Sequence, residues 1–357
     1  AAVALLLGAR CLRESRDPDA VGLDWPGTFS SAVMLALLTI GVLAAPDRGW
    51  GDPWILAALL GAAVFLAVFV RVEMRAARPM LDLSLFRYPR FVGVQMLPVG
   101  TGFCYLPLVV TLPVALIGIH GHSALDAGLL MIALSAPMLV VPILAALLSH
   151  RIAAGTLCGM GLLLAACGLV WLGKVVPDPT PARLIAPMLL IGIGSAIPWG
   201  LMDGLAISVV PKERAGMAIG VFGACRVSGE GIAIAVGVVV LAGLVKLQLS
   251  GGFPVDPASL SEAAQRLATG DVRSAQTLLP RLDSAALEHG FDAGYARLMY
   301  VLAGITTVIA GVAFALLGSA SAHEPVAAGS AEATEAQETD LDADGIAVDR
   351  ADQRCGL

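Results

Sequence analysis

The sequence predicts an all-α polytopic membrane protein built as a bundle of transmembrane helices. Of its 357 residues, 57% are hydrophobic and only 14% are charged, and the mean hydropathy is +0.84. A single water-soluble core does not hide that much apolar surface, so the bilayer is the expected solvent. Backbone groups in lipid must bond within their own element, and the apolar stretches are too long and too evenly apolar for barrel strands. Each is therefore predicted to be a helix.

Eight stretches approach or exceed the length of about 20 residues that crosses a hydrocarbon core. They are residues 27 to 45, 54 to 70, 91 to 118, 125 to 148, 156 to 173, 184 to 210, 216 to 245 and 296 to 318. Ahead of them, residues 1 to 9 (AAVALLLGA) have no basic residue before them and run directly into Arg10. A secretory signal carries its positive charge at the other end, so we interpret these residues as the end of a truncated upstream span.

Lys and Arg residues in the short loops predict the orientation. One side holds Arg10, Arg13, Arg16, Arg71, Arg75, Arg78, Arg87, Arg90, Arg151, Lys212 and Arg214, and the other side holds Arg48, Lys174 and Arg183. The side richer in positive charge is expected to face the cytoplasm of a plasma-membrane protein. Residues 246 to 295 are then an external loop, and the acidic, Ala-rich residues 319 to 357 are a disordered cytoplasmic tail. The chain apart from this tail is nearly neutral, which argues against a nucleic-acid partner.

Three ionisable residues fall inside predicted spans, where charge is costly and commonly marks an ion or substrate route. Arg226 and Glu230 are four residues apart, so they share a helical face and can pair. Asp203 lies on the preceding span, and counting back from the turn between the spans puts it within about 6 Å of the depth of Arg226. We predict a proton-coupling or substrate-pathway cluster. The alternative is a structural ion-pair clamp between two helices.

Small residues and prolines indicate two further features. The span at 91 to 118 is interpreted as a kinked or locally unwound helix that lines a pathway, because irregular backbone at membrane depth is tolerated only against protein or a water-filled cavity. Its candidate pathway residues are Gln95, Pro98, Tyr105 and Pro107. Gly216, Gly220 and Gly223 form a small-residue face at helical spacing, which predicts close packing of another helix there.

Other motifs predict local structure rather than chemistry. Ser123 and Asp126 are typical of a helix N-terminus, and residues 257 to 270 predict a short surface helix. His120 and His122 are too few for a metal site and are interpreted as solvated loop histidines. The stretch from Asp340 to Gly345 copies only the first half of a calcium loop, because Ala351 occupies the position of the bidentate Glu. No metal or cofactor is expected.

Three stretches carry a family resemblance: RPMLDLSLFRYPRF (78 to 91), GHSALDAGLLMIAL (121 to 134) and VPKERAGMAIGVFGACRVSGEGIAIAVG (210 to 237). They resemble the fourteen-span drug:proton antiporters of the major facilitator superfamily. The resemblance implies that residues 10 to 26 are a cytoplasmic loop, 27 to 70 two linker spans, 71 to 90 a basic cytoplasmic loop and 91 to 318 the C-terminal six-helix half, with the N-terminal half missing.

The implied activity is proton-coupled efflux of hydrophobic or cationic small molecules by alternating access. The partners are then a small-molecule substrate, protons and the lipid bilayer, with no prediction of oligomeric state. Only Arg226 matches the family pattern directly, while Glu230 and Asp203 stand where relatives commonly have small or neutral residues. Two alternatives are a non-transporting membrane sensor or scaffold that uses the acidic tail, and a membrane-embedded enzyme. An enzyme is not expected, because no nucleophile and base pair or metal set lies near one membrane face.

Overall fold

A computed structural model describes residues 25–48, 51–75, 88–177, 180–210, 215–250, 256–280 and 282–317, and the regular structure within these ranges is helical. The helices in chain order are α1 (Trp25–Arg48), α2 (Pro53–Glu73), α3 (Pro89–Val114), a π-helical turn (Ala115–Ile119), α4 (Ala124–Ser135), α5 (Pro137–Leu148), α6 (Ala154–Val175), α7 (Pro181–Ser208), α8 (Ala215–Leu249), α9 (Pro257–Ala268), α10 (Val272–Leu278) and α11 (Ser284–Leu317). The predicted upstream span, most of the basic loop, the calcium-like stretch and the acidic tail lie outside the described residues.

Seven helical segments within the described ranges are long and apolar enough to cross a membrane, which confirms the all-α membrane fold. They are α2, α3 with its π-helical turn, α4 with α5, α6, α7, α8 and α11. The first predicted span also forms a helix, α1, whose 24 residues include the apolar stretch Pro26–Gly41.

Proline positions explain where the spans depart from straight α-helices. The predicted span at 125 to 148 divides at Ala136, directly before Pro137, because proline has no amide N–H to continue the helical hydrogen bonds, although Ala136 itself keeps helical backbone angles. α3 continues through Pro98 and Pro107 and changes only after Pro113, where the π-helical turn begins. The predicted irregularity of this helix is therefore located at its far end rather than at its middle.

Glycine contacts hold the central helices together. An added Cβ on Gly161 of α6 would meet the carbonyl oxygen of Gly194 of α7 at 2.7 Å, and one on Gly194 would meet the carbonyl oxygen of Gly161 at 2.6 Å. The two backbones touch at this point, which only glycine permits. On its opposite side α6 packs along α11, and α3 lies between α7, α8 and α11. α1 packs against α2 and α8.

Two short helices cover one end of the bundle. α9 agrees with the predicted surface helix and is capped by Asp256, whose carboxylate accepts a hydrogen bond from the Ser259 amide at 3.2 Å. Its buried stripe of Leu260, Ala263, Ala264 and Leu267 rests on the bundle. α11 begins at Ser284 rather than at the predicted residue 296, because residues 287, 291, 295 and 298 extend its buried face.

Candidate functional site

Arg226 lies at the centre of the predicted charged cluster. Its Nε atom donates a hydrogen bond to Oε1 of Glu230 at 3.1 Å, one turn further along α8. Its Nη1 atom lies 3.6 Å from Oδ1 of Asp203 on α7. The i, i+4 spacing accounts for the first contact, and the matched depth of the two helices accounts for the second. The predicted meeting of these three side chains is present in the structure.

The indole ring of Trp199 on α7 lies against the Arg226 guanidinium. The Cζ atom of Arg226 lies 4.7 Å from the centroid of the indole ring, within the range of a cation–π interaction. Trp199 is four residues before Asp203 on α7, so both side chains project from the same face toward α8. α7 thus provides both an aromatic surface and a carboxylate for one arginine.

Two further contacts, one aromatic and one a hydrogen bond, connect Trp199 to α3 and α4. The rings of Tyr105 on α3 and Trp199 are 6.4 Å apart between centroids and tilted by 51°, an edge-to-face type of contact. The Tyr105 hydroxyl forms a hydrogen bond with the Ser135 hydroxyl, at the end of α4, at 3.1 Å. Side chains of α3, α4, α7 and α8 therefore form one connected polar and aromatic cluster.

The side chains of the two carboxylates, Glu230 and Asp203, differ in how much of their surface is exposed. The side chain of Glu230 is 24% exposed and that of Arg226 is 27% exposed, whereas that of Asp203 is 68% exposed. Burial strengthens the Arg226–Glu230 attraction relative to an exposed pair, because less water screens it. Asp203 presents its charge at an open face of the described bundle. When both acids are ionised, the cluster carries one more negative than positive charge.

The other predicted pathway residues have different surroundings. Pro98 and Pro107 are buried, and Pro107 packs against Gly237 of α8, where an added Cβ would meet Pro107 Cβ at 2.8 Å. Gln95 is only 3% exposed, and neither its amide oxygen nor its amide nitrogen has a hydrogen-bond partner among the described residues. Of the four predicted pathway residues, Tyr105 is linked to the charged cluster through the ring of Trp199.

The predicted small-residue face on α8 makes no close contact within the described ranges. An added Cβ on Gly216, Gly220 or Gly223 would meet no described atom within 4 Å. The expected close approach is instead made by glycines of α6 and α7, because backbone contact depends on which face is turned toward a neighbour. Spacing of small residues alone does not specify that face.

The histidine interpretation requires a correction. His120 is not a solvated loop residue: its side chain is 15% exposed, and Nε2 lies 3.2 Å from Oδ1 of Asp292 on α11. The π-helical turn before it directs it inward. Within the described part of the chain, no group of three or more His, Cys, Asp or Glu side chains is close enough to hold a metal ion.

Sequence reasoning missed Trp199 and Ser135 as members of the cluster. A signal for Trp199 was available, since it precedes Asp203 by four residues and helical side chains at that spacing share a face. No comparable signal existed for Ser135. Its contact with Tyr105 depends on how α3 and α4 are rotated relative to each other, which the apolar pattern does not reveal.

Comparisons with known proteins agree with this architecture. Residues 21–234 match the family model described as Major Facilitator Superfamily. The chain is 30% identical over 237 residues to "Cephamycin export protein CmcT" of Amycolatopsis lactamdurans, covering 65% of this chain and 49% of that protein. It is 30% identical to "Multidrug resistance protein Stp" of Mycobacterium tuberculosis, covering 66% of this chain and 44% of that protein.

A third relative is the "Tetracenomycin C resistance and export protein" of Streptomyces glaucescens, with 27% identity over 71% of this chain and 46% of that protein. The chain thus spans about half the length of these curated relatives. All three printed names describe export or drug resistance.

Proposed function

This chain belongs to the Major Facilitator Superfamily, and on that premise we propose that it acts in secondary active transport, exporting hydrophobic or cationic small molecules in exchange for protons. Two features support the proposal. Relatives with 27% to 30% identity carry names that describe export or drug resistance. The apolar helices long enough to cross a membrane also hold a charged cluster, in which Arg226 contacts both Glu230 and Asp203.

The observation that carries the proposal is one guanidinium shared between two carboxylates. Arg226 lies 3.1 Å from Glu230 and 3.6 Å from Asp203. A proton on Glu230 removes the charge that holds Arg226 along α8, so Arg226 then interacts more strongly with Asp203 on α7. Protonation therefore changes the attraction between two helices, which is the requirement for coupling a proton to a conformational change.

The charge and shape of the cluster favour a cationic, partly apolar substrate. With both acids ionised, one negative charge remains uncompensated, and the more exposed carboxylate is that of Asp203. The rings of Trp199 and Tyr105 adjoin it and offer π-faces that attract cations and apolar rings. A bound cation would replace Arg226 as the partner of Asp203, while a proton on Glu230 would oppose that exchange.

We place the cluster in an alternating-access mechanism, in which two helical halves rock about a site near the midplane. In this proposal α3 to α11 form one half, and α1 and α2 are linker helices that pack against α8. α9 and α10 then lie outside the plasma membrane, and the acidic tail lies in the cytoplasm. The orientation follows from the distribution of Lys and Arg described above.

The direct test is transport by the protein produced from its intact natural gene in inside-out membrane vesicles. A fluorescent lipophilic cation serves as the probe, and an acid-inside pH gradient drives it. The proposal expects uptake of the probe that stops when a protonophore removes the gradient. Uptake that does not depend on the gradient, or binding without uptake, would contradict it. A non-transporting sensor would give the second result.

A further inference from the structure

A second pair of titratable side chains lies at the other end of α3, close to the covering helices. Nε2 of His120 and Oδ1 of Asp292 are 3.2 Å apart, and their side chains are 15% and 10% exposed. They join the end of α3 to α11. This pair is separate from the cluster of Arg226, Glu230 and Asp203.

The π-helical turn explains how His120 comes to face α11. The His120 amide donates to the Ala115 carbonyl at 3.1 Å, five residues back, and the His122 amide donates to the Leu116 carbonyl at 2.9 Å, six residues back. One additional residue in a turn rotates the following side chain by about 100° relative to a regular α-helix. Such turns are commonly found at functional positions. Here the turn directs an imidazole toward a carboxylate on a neighbouring helix.

Two neighbouring contacts hold the same end of α3. The Thr111 hydroxyl forms a hydrogen bond with the Tyr295 hydroxyl of α11 at 3.1 Å. Gly118, in the π-helical turn, lies against Gly270, which has a φ of +80° and sits between α9 and α10. An added Cβ on Gly118 would meet Gly270 Cα at 2.8 Å. Neither contact involves His120 or Asp292, so the His120–Asp292 contact is a separate link between the same two parts of the bundle.

Asp292 is a buried carboxylate, so its stability depends on the charge of the neighbouring His120 side chain. The residue is 7% exposed, and Oδ1 receives no hydrogen bond of good geometry from the described residues, so its contact with His120 is electrostatic. The pair borders a cavity of about 10 Å³, at the lower limit for one water molecule, whose other walls are mainly Leu, Val, Ala and Phe side chains. A buried carboxylate in such surroundings is stabilised by a charged imidazole much more than by a neutral one.

Among the described residues that line the cavity, Tyr295 is the one titratable side chain besides the pair, and its hydroxyl forms a hydrogen bond with Thr111. The adjoining ends of the neighbouring helices carry His122, Asp126, Lys174, Arg183, Asp271, Arg273, Glu288 and His289, which do not line the cavity. Among the described residues that line the cavity, His120 is therefore the basic partner of Asp292.

We propose that His120 and Asp292 form a proton-binding site that fastens the end of α3 to α11 when the imidazole is protonated. Histidine changes its charge between about pH 5 and pH 8. Only the imidazolium form of His120 carries the positive charge that attracts the Asp292 carboxylate across the 3.2 Å contact. The end of α3 is thus held tightly in acid and more loosely in alkali, whatever molecule the protein transports.

The test uses a spin label on Ile117→Cys, which is 44% exposed on the π-helical turn, in the full protein with its native cysteines replaced. Electron paramagnetic resonance spectra are compared at about pH 6 and about pH 8, either side of the histidine transition. The label should be more immobilised at the lower pH. Asp292→Asn should abolish that difference, and His289→Gln, an exposed histidine on the same helix, should leave it unchanged.

A fixed positive charge provides an independent measurement. His120→Lys keeps the cation at both pH values and leaves Asp292 paired, so its label should be immobilised at both. Equal mobility at the two pH values in the protein with wild-type His120 would overturn the proposal. A pH difference that persists in Asp292→Asn or in His120→Lys would also overturn it. Because label mobility does not require transport, failure here is distinguishable from failure of the proposed efflux function.

Discussion

Arg226 and Glu230 are joined by a 3.1 Å hydrogen bond along one face of α8, inside a helix that is otherwise almost entirely apolar. The pair is partly buried, and its arginine also contacts a carboxylate and an indole of α7. The Arg226 guanidinium thus interacts both with its own helix, α8, and with the neighbouring helix α7. Substitutions at this position are expected to affect folding and coupling in separable ways.

Removing Arg226 is expected to destabilise the protein more than removing both members of the pair. In Arg226→Ala, Glu230 loses its counter-charge at depth, and breaking a buried ion pair costs up to about 3 to 5 kcal/mol. Because Glu230 is 24% exposed, the cost should lie below that limit. Arg226→Ala combined with Glu230→Gln should recover much of the yield and thermal stability in detergent. A double variant no more stable than Arg226→Ala would show that the pair contributes little to folding.

Trp199 is expected to position Arg226 rather than merely fill space. Replacing it with Leu removes the ring 4.7 Å from the guanidinium, a contact worth up to about 2 kcal/mol when desolvated. Trp199→Leu should lower both the melting temperature and the transport rate, and Trp199→Phe should lose less of each. Trp171→Leu, on a 46% exposed tryptophan, is the matched control and should change neither. Equal losses at the two tryptophans would contradict a specific role for Trp199.

Two glycine substitutions should distinguish a glycine that is in backbone contact with another helix from one that only fits a small-residue spacing in the sequence. Gly194→Ala places a Cβ 2.6 Å from the Gly161 carbonyl oxygen, and overpacking of this kind costs about 1 to 3 kcal/mol. Gly220→Ala meets no described atom within 4 Å and should be tolerated. Thermal unfolding of the two purified variants provides the comparison. A large loss of stability in Gly220→Ala would show that the predicted helix-packing face on α8 is occupied in the folded protein.

The predicted orientation can be tested with introduced cysteines. Ser261→Cys on α9 should react with a membrane-impermeant thiol reagent in intact cells, because the covering helices are proposed to lie outside. His150→Cys, just after α5, should react only after the membrane is permeabilised. Both positions are exposed, so accessibility to solvent is matched. Reversal of this labelling pattern would invert the proposed topology and place the acidic tail outside.

Hydropathy predicted most of the fold, because the length of an apolar run is a direct consequence of bilayer thickness. It also located Arg226 and Glu230, since four-residue spacing alone puts two side chains on one face. Features that depend on helix rotation were not predictable. His120 faces Asp292 because of one additional residue in a turn, and Ser135 meets Tyr105 because of the way α3 and α4 are rotated about their axes. Apolar periodicity carries no information about either event.

The measurement that tests the central claim most directly is the proton coupling of Glu230→Gln. The variant retains the size and hydrogen-bonding capacity of the side chain and cannot release a proton. In reconstituted vesicles, with pH change and substrate flux recorded together, it should bind the fluorescent cation and lose transport driven by the pH gradient. Glu262→Gln, on exposed α9, should behave as the unmodified protein does. If Glu230→Gln transports with unchanged proton coupling, the Arg226–Glu230 pair is a structural clamp and the account is wrong.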